Sequence, residues 1–176
     1  MNPATDQDLM SKARFDVNTF LELTDKYFTE IYSYIFNRLA ISSSALELTE
    51  SVFKQTAELL TAKSPIKDSS FLILLLRLAN QEIVKYLESH ELDDKELARF
   101  ECNETQQFII VLLQTLDAEM QNMISLKFYT SLSNAEIAEV LHFNATKLKQ
   151  LMDQALSAYK KAHLKFDPDN KQFDFI

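Results

Sequence analysis

The chain has no glycine among its 176 residues and only three prolines. Glycine supplies positive-φ positions at no steric cost. A chain without it is steered away from phosphate-cradling loops, dinucleotide-binding fingerprints and sheets closed by tight turns. Helices joined by short connections are the simplest fold left, and we read the chain as all-α. Its 47% hydrophobic content is enough to bury a core, and 25% charged residues is ordinary for a globular protein. The length allows one domain or two small ones.

Hydrophobic periodicity divides the chain. From Asp16, the residues Phe20, Leu23, Tyr27, Phe28, Ile31, Ile35 and Leu39 recur at helical spacing. ISSS breaks this pattern before a second helix, Ala45 to Ala62. The stretch KSPIKDSS, with Pro65, is the clearest loop. The strongly apolar helix Ser69 to Glu88 completes a first bundle. SHELDDKELARFECNET is polar and acidic, and reads as a linker with some helical content. Four further helices follow, near 107–115, 117–129, 133–141 and 144–165. The resulting plan is a tail (1–15), a helical domain (16–89), an acidic linker (90–105), a second helical domain (106–166) and a C-terminal tail (167–176).

A lone cysteine, Cys102, excludes an internal disulfide framework and fits a reducing compartment. The N-terminal fifteen residues have no apolar signal core. The most apolar run, FLILLLRLA from Phe71, is interrupted by Arg77 and too short to span a bilayer. The reading is a cytoplasmic protein without a membrane partner. His90, His142 and His163 are scattered and lack partners at metal-ligand spacing. No nucleophile–base arrangement suggests itself. We expect no metal, no cofactor and no enzyme.

The second half contains SNAEIAEVLHFNATKLKQLMDQAL from Ser133. Ser133 and Glu136 have capping-box spacing, and Ile137, Ala138, Val140 and Leu141 form a buried stripe. His142 and Phe143 make the turn, and Asn144 is a good N-cap for the next helix. There Leu148, Leu151, Met152, Ala155, Leu156 and Tyr159 repeat at core spacing. Asn144, Thr146, Lys147, Lys149, Gln150 and Asp153 are left outside. Periodicity alone fits an ordinary helical hairpin as well as a DNA-reading helix-turn-helix. Charge does not favour DNA: Asp117 to Phe166 carries six lysines against five acids, in a chain of net charge -8. Duplex affinity depends largely on phosphate neutralisation, so independent tight DNA binding is not expected.

The order of segments resembles an extracytoplasmic-function sigma factor, a small bacterial transcription initiation subunit, over nearly the whole span from Phe15 to Lys165. SLSNAEIAEVLHFNATKLKQLMDQAL is similar to the family's region 4 helix-turn-helix. ALELTESVF (Ala45 to Phe53) resembles an acidic helix of the family's region 2, and LLLRLANQEIVKY from Leu74 resembles the helix that follows it. The resemblance implies two helical domains, one region 2-like and one region 4-like. It implies core RNA polymerase docking on the first, at Ala45, Glu47, Leu48, Glu50 and Phe53. It also implies contact with promoter DNA through the helix-turn-helix positions named above and through Arg77, Lys85, Lys63 and Lys67.

Departures from the family pattern point to weakened promoter reading. Leu74 stands where an aromatic is usual at the melting helix, removing a stacking platform for an unpaired base. Thr146 replaces a glycine, and Leu151 and Gln154 replace common arginines, whose bidentate fork is the commonest reader of guanine. His142 replaces a turn glycine. Phe71 follows the loop that meets an unstacked base in the family, and Phe173 and Phe175 are candidate anchors for the tail. The implied function is a sigma-like subunit that binds polymerase and directs it to DNA, targeted in part by a partner. Such a partner could be an RNA-guided, nuclease-dead effector, and an anti-sigma factor is a further candidate partner. The alternatives are a sigma-mimicking adaptor or regulator that binds without initiating, and a plain helix-turn-helix repressor.

Overall fold

The computed structural model describes residues 6–62, 66–90 and 99–165. Among them are eight α-helices and no strand. In chain order these are α1 (Asp6–Ala13), α2 (Val17–Leu39), α3 (Ser42–Thr61), α4 (Phe71–Ser89), α5 (Glu104–Gln114), α6 (Ala118–Tyr129), α7 (Asn134–Val140) and α8 (Ala145–Lys165). The all-α reading holds.

Short polar side chains start most of these helices, because the first backbone N–H groups of a helix have no partner within it. Asp16 accepts from Asn18 N at 3.1 Å and from the Thr19 hydroxyl at 2.6 Å. Ser70 accepts from Ile73 N, and Asp117 from Met120 N. Asn103 and Gln106 form a reciprocal capping box at α5. At the other end of α3, Arg14 donates to the carbonyls of Leu60 (3.1 Å) and Ala62 (3.0 Å), satisfying orphan acceptors from a distance.

Without glycine, two connections place ordinary residues in the left-handed region. Ala40, between α2 and α3, has φ 52°, and His142, between α7 and α8, has φ 55°. The Ala40 N–H bonds Phe36 O at 2.7 Å, which closes α2 in the manner of a glycine cap. For histidine such a backbone is tolerated; for alanine it costs about 1 kcal/mol or more.

Helix α1 occupies part of the stretch expected as a tail. It buries Met10 and Ala13, and Asp6 ties it to α2 by accepting from Lys26 and from the Tyr27 hydroxyl. Helix α4 runs through the centre, with Phe71, Ile73, Leu74, Leu75, Leu76 and Ile83 all at most 1% exposed. Phe71 packs edge-on to Phe20 and against Tyr27, so it is a core residue and not a free stacking platform. Leu156, expected in the core, is 45% exposed.

The buried side chains of α1–α4 and of α6–α8 form one continuous cluster. Helix α7 packs on α4, and α6 packs on α2. The polar centre of this seam is Arg38 on α2, 2% exposed, whose guanidinium donates to Asn122 Oδ1 (3.0 Å) and Gln121 Oε1 (3.3 Å). Gln121 is held in turn by its own bond to Leu116 O at 2.8 Å. One turn earlier, the buried Tyr34 hydroxyl donates to Asn80 Oδ1 of α4 at 2.8 Å. Burial pushes the Tyr34 hydroxyl above its ordinary pKa. The linker's end is fixed too: Glu101 N donates to Ala40 O, while its carboxylate accepts from Ser42 N and Oγ.

Truncating Arg38 would take this donor from the buried Gln121 amide oxygen and the half-buried Asn122 amide oxygen, and leave a cavity behind them. Arg38→Ala should therefore lower unfolding stability by about 3 kcal/mol in urea titrations. Arg38→Met, which fills the space without a charge, should cost clearly less.

Candidate functional surfaces

The helix-turn-helix is built as its local chemistry dictates. Ser133 and Glu136 close the capping box, with Ser133 N to Glu136 Oε2 at 2.8 Å and Glu136 N to Ser133 Oγ at 3.3 Å. Hydrogen bonds from the Ser133 hydroxyl and N–H hold the Glu136 carboxyl below the usual glutamate range. Asn144 caps α8 by accepting from Lys147 N at 2.8 Å. Ile137, Val140, Leu148, Leu151 and Ala155 are buried between the helices and the bundle.

On the outer face, Asn144, Thr146, Lys149, Gln150 and Asp153 are exposed together. Lys147 is half-buried. Its ammonium lies 2.6 Å from Glu119 of α6 and 3.9 Å from the centroid of the Phe143 ring. The face therefore offers one cation without an acidic partner among the described residues, Lys149, with Asp153 one turn along.

The α4 candidates are neutralised in a similar way. Arg77 forms a two-point ion pair with the buried Asp68, at 2.8 and 2.9 Å. That pairing raises the already high guanidinium pKa. Lys85 lies 2.6 Å from Glu82. Burial alone would raise the Glu82 carboxyl, but Lys85, Ser51 and Gln55 together hold it below its ordinary value. Lys67 is exposed on the loop before α4, with no acidic partner among the described residues. Lys63 lies outside the described residues, as do Phe173 and Phe175. The loop, α4 and the turn at His142 enclose a cleft of about 360 Å³.

On α3, Glu47 and Glu50 are exposed beside Leu46, and Leu48 is half-buried. Ala45 and Phe53 are buried, Phe53 stacking on Phe28, so these two shape the helix's seat and are not surface contacts. Sequence spacing grouped all five because a motif is contiguous, whereas a helix sends successive residues to different faces.

Three contacts had no signal in the sequence: Arg38 with Gln121 and Asn122, Asp68 with Arg77, and Glu139 with Ser69. Each joins polar residues whose pairing depends on tertiary approach. Among the described residues, no group of three or more His, Cys, Asp or Glu is placed to hold a metal ion. No helix there is long and apolar enough to cross a membrane.

The chain packs a four-helix N-terminal bundle against a capped helix-turn-helix. The solved structure of CnrH in complex with the cytosolic domain of CnrY is similar to it, with TM-score 0.72 over 92% of this chain and 99% of that one. Identity is 16%, so the likeness is one of fold. No family model and no curated protein matches the sequence.

The capping box gives a pH prediction. The Glu136 carboxyl has a lowered pKa in the folded protein, so its stabilisation is present above the ordinary glutamate value of 4.5. It is lost as pH falls through the depressed folded value. Glu136→Ala should lower the melting temperature by about 2 °C at pH 7. Thermal scans should show that difference shrinking as the pH falls below 4.5.

Proposed function

We propose that this protein is a sigma-like initiation subunit that binds core RNA polymerase and directs it to DNA. Its own promoter reading is weak, and a partner supplies part of the targeting. The observation that carries this reading is the extent of the fold likeness, which spans both the bundle and the helix-turn-helix and 92% of the chain. The paired state of Arg77, Lys85 and Lys147 supports the second clause, since a cation already neutralised by a carboxylate contributes less to phosphate binding. Polymerase docking falls to the exposed face of α3, through Glu47 and Glu50 with Leu46 and Leu48 beside them. DNA contact falls to Asn144, Thr146, Lys149 and Gln150, with Lys147 released from Glu119, and to Lys67 near α4.

CnrH was solved bound to the cytosolic domain of CnrY. An anti-sigma-type protein is accordingly one partner class for this chain, and an RNA-guided, nuclease-dead effector is a candidate for targeting. A second reading, a sigma-mimicking adaptor that binds polymerase without initiating, is favoured by the same neutralised cations. A plain repressor is the weakest of the three, because it would need the DNA affinity that the paired cations reduce.

The test is comigration of the purified protein with core polymerase on size exclusion in moderate salt, followed by promoter-templated transcription. The sigma reading expects a stable complex and stimulated transcription. A complex without transcription selects the adaptor, and salt-sensitive DNA binding without a complex selects the repressor. Glu47→Lys with Glu50→Lys should weaken polymerase binding at least about tenfold with unchanged helicity. Unchanged affinity would remove α3 as the docking face. Lys147→Glu with Lys149→Glu should reduce DNA-dependent activity and flatten its salt dependence.

A further inference from the structure

A buried charge without a countercharge borders a cavity where α2, α4, α5 and the linker's end meet. The cavity has about 310 Å³, within the range of sites that hold small organic molecules. Leu39, Ile41, Phe100 and Ile110 form its apolar wall, with the ring of Tyr86. That ring is fixed in place. Its hydroxyl lies 3.1 Å from Ser44 Oγ, and it stacks on His90 with centroids 4.0 Å apart. The polar wall includes Arg38, which is 2% exposed. Gln121, Asn122 and the Tyr34 hydroxyl meet its guanidinium with neutral oxygens. A guanidinium has more N–H donors than these acceptors use. No carboxylate among the described residues forms an ion pair with it. Arg77 is the more exposed of the two side chains, yet it has the Asp68 carboxylate.

We propose that this cavity binds a small aromatic monocarboxylate. The ligand's carboxylate takes the remaining donors of Arg38 and supplies the countercharge that the fold leaves out. A cation held in low dielectric by neutral groups alone gains more from an anion than one already paired. The aromatic body lies against Ile41, Ile110 and the rings of Tyr86 and Phe100, which favour a flat apolar group over a flexible chain. Glu88 is exposed at the rim and repels further negative charge, so a monoanion is preferred to a dicarboxylate or a phosphate ester. The cavity is present with all the helices packed, and filling it opens no part of the core. Arg38 also holds α6 through Gln121 and Asn122. A ligand bound here therefore braces the register of α6 on α2, and its signature is stabilisation of the whole chain. The inference is independent of polymerase or DNA binding.

The test is calorimetric titration and thermal unfolding of the full chain with benzoate, phenylacetate and indole-3-acetate as probes. At least one acid should bind with a Kd below about 1 mM and raise the melting temperature by about 2 °C or more. The neutral amide of the same acid should bind at least about tenfold more weakly, as should phthalate, which carries a second charge. Arg38→Met should remove the preference for acid over amide, with circular dichroism checking that helicity is kept. Gln114→Trp adds bulk to the half-buried lining and leaves Arg38 in place. It should weaken the acid at least about tenfold, and it keeps the test decisive where Arg38→Met does not fold. Absence of binding by all three acids would overturn the proposal. So would equal affinity for acid and amide, or binding indifferent to Gln114→Trp. Binding is read on the isolated chain, so failure here leaves the sigma-like reading where it stands.

Discussion

The guanidinium of Arg38 sets where the second half of the molecule sits. It is a full charge taken out of water and held by neutral groups, among them the amide oxygens of Gln121 and Asn122. Such an arrangement adds little net stability, because desolvation consumes most of what the hydrogen bonds return. What it adds is uniqueness. A one-residue slide of α6 along α2 would bury the same hydrocarbon but strand the charge. With α6 fixed, α7 is carried onto α4, and the turn at His142 comes to lie over the loop at Ser69. The geometry of every candidate surface in the C-terminal half follows from that register.

The charge distribution is read best as pairing and not as net sign. The chain is acidic overall, and several of its described cations are paired with carboxylates. Asp68, Glu82 and Glu119 each hold a residue that the family resemblance would aim at DNA. The Asp68–Arg77 fork is the tightest of these, since Asp68 is buried and both donors are aligned. The two lysine pairs are more exposed and are worth little on their own in salt. A cation already paired with a carboxylate contributes less to binding another anion than a free one does.

The sequence made the local features legible and left the tertiary ones hidden. Ser133 with Glu136, Asn144 as an N-cap, and a left-handed His142 could all be read from residue type and spacing, because each is settled within four residues. The absence of glycine pointed to the all-α fold class. Helix α1 was missed because a single turn of apolar residues, Leu9, Met10 and Ala13, gives too weak a period in eight residues. The place of Phe71 after a loop that the resemblance implies meets an unstacked base said nothing of Phe20 and Tyr27 closing over it. The Ser69–Glu139 contact was invisible for a simpler reason. A serine in a loop and a glutamate on a helix face are ordinary residues until the chain brings them together.

The left-handed alanine at position 40 has a consequence for the chain when it is not folded. Glycine at such a junction would relieve local strain in the native state, but it would also widen the conformations open to the unfolded chain. With no glycine anywhere, the denatured ensemble is stiffer per residue, and less backbone entropy is surrendered on folding. The protein thus accepts a small enthalpic strain at two corners and gains a less forgiving disordered state. Its freedom is confined to the connections between helices, so a departure from the packed form tends to be a rigid-body excursion and not a partial melting.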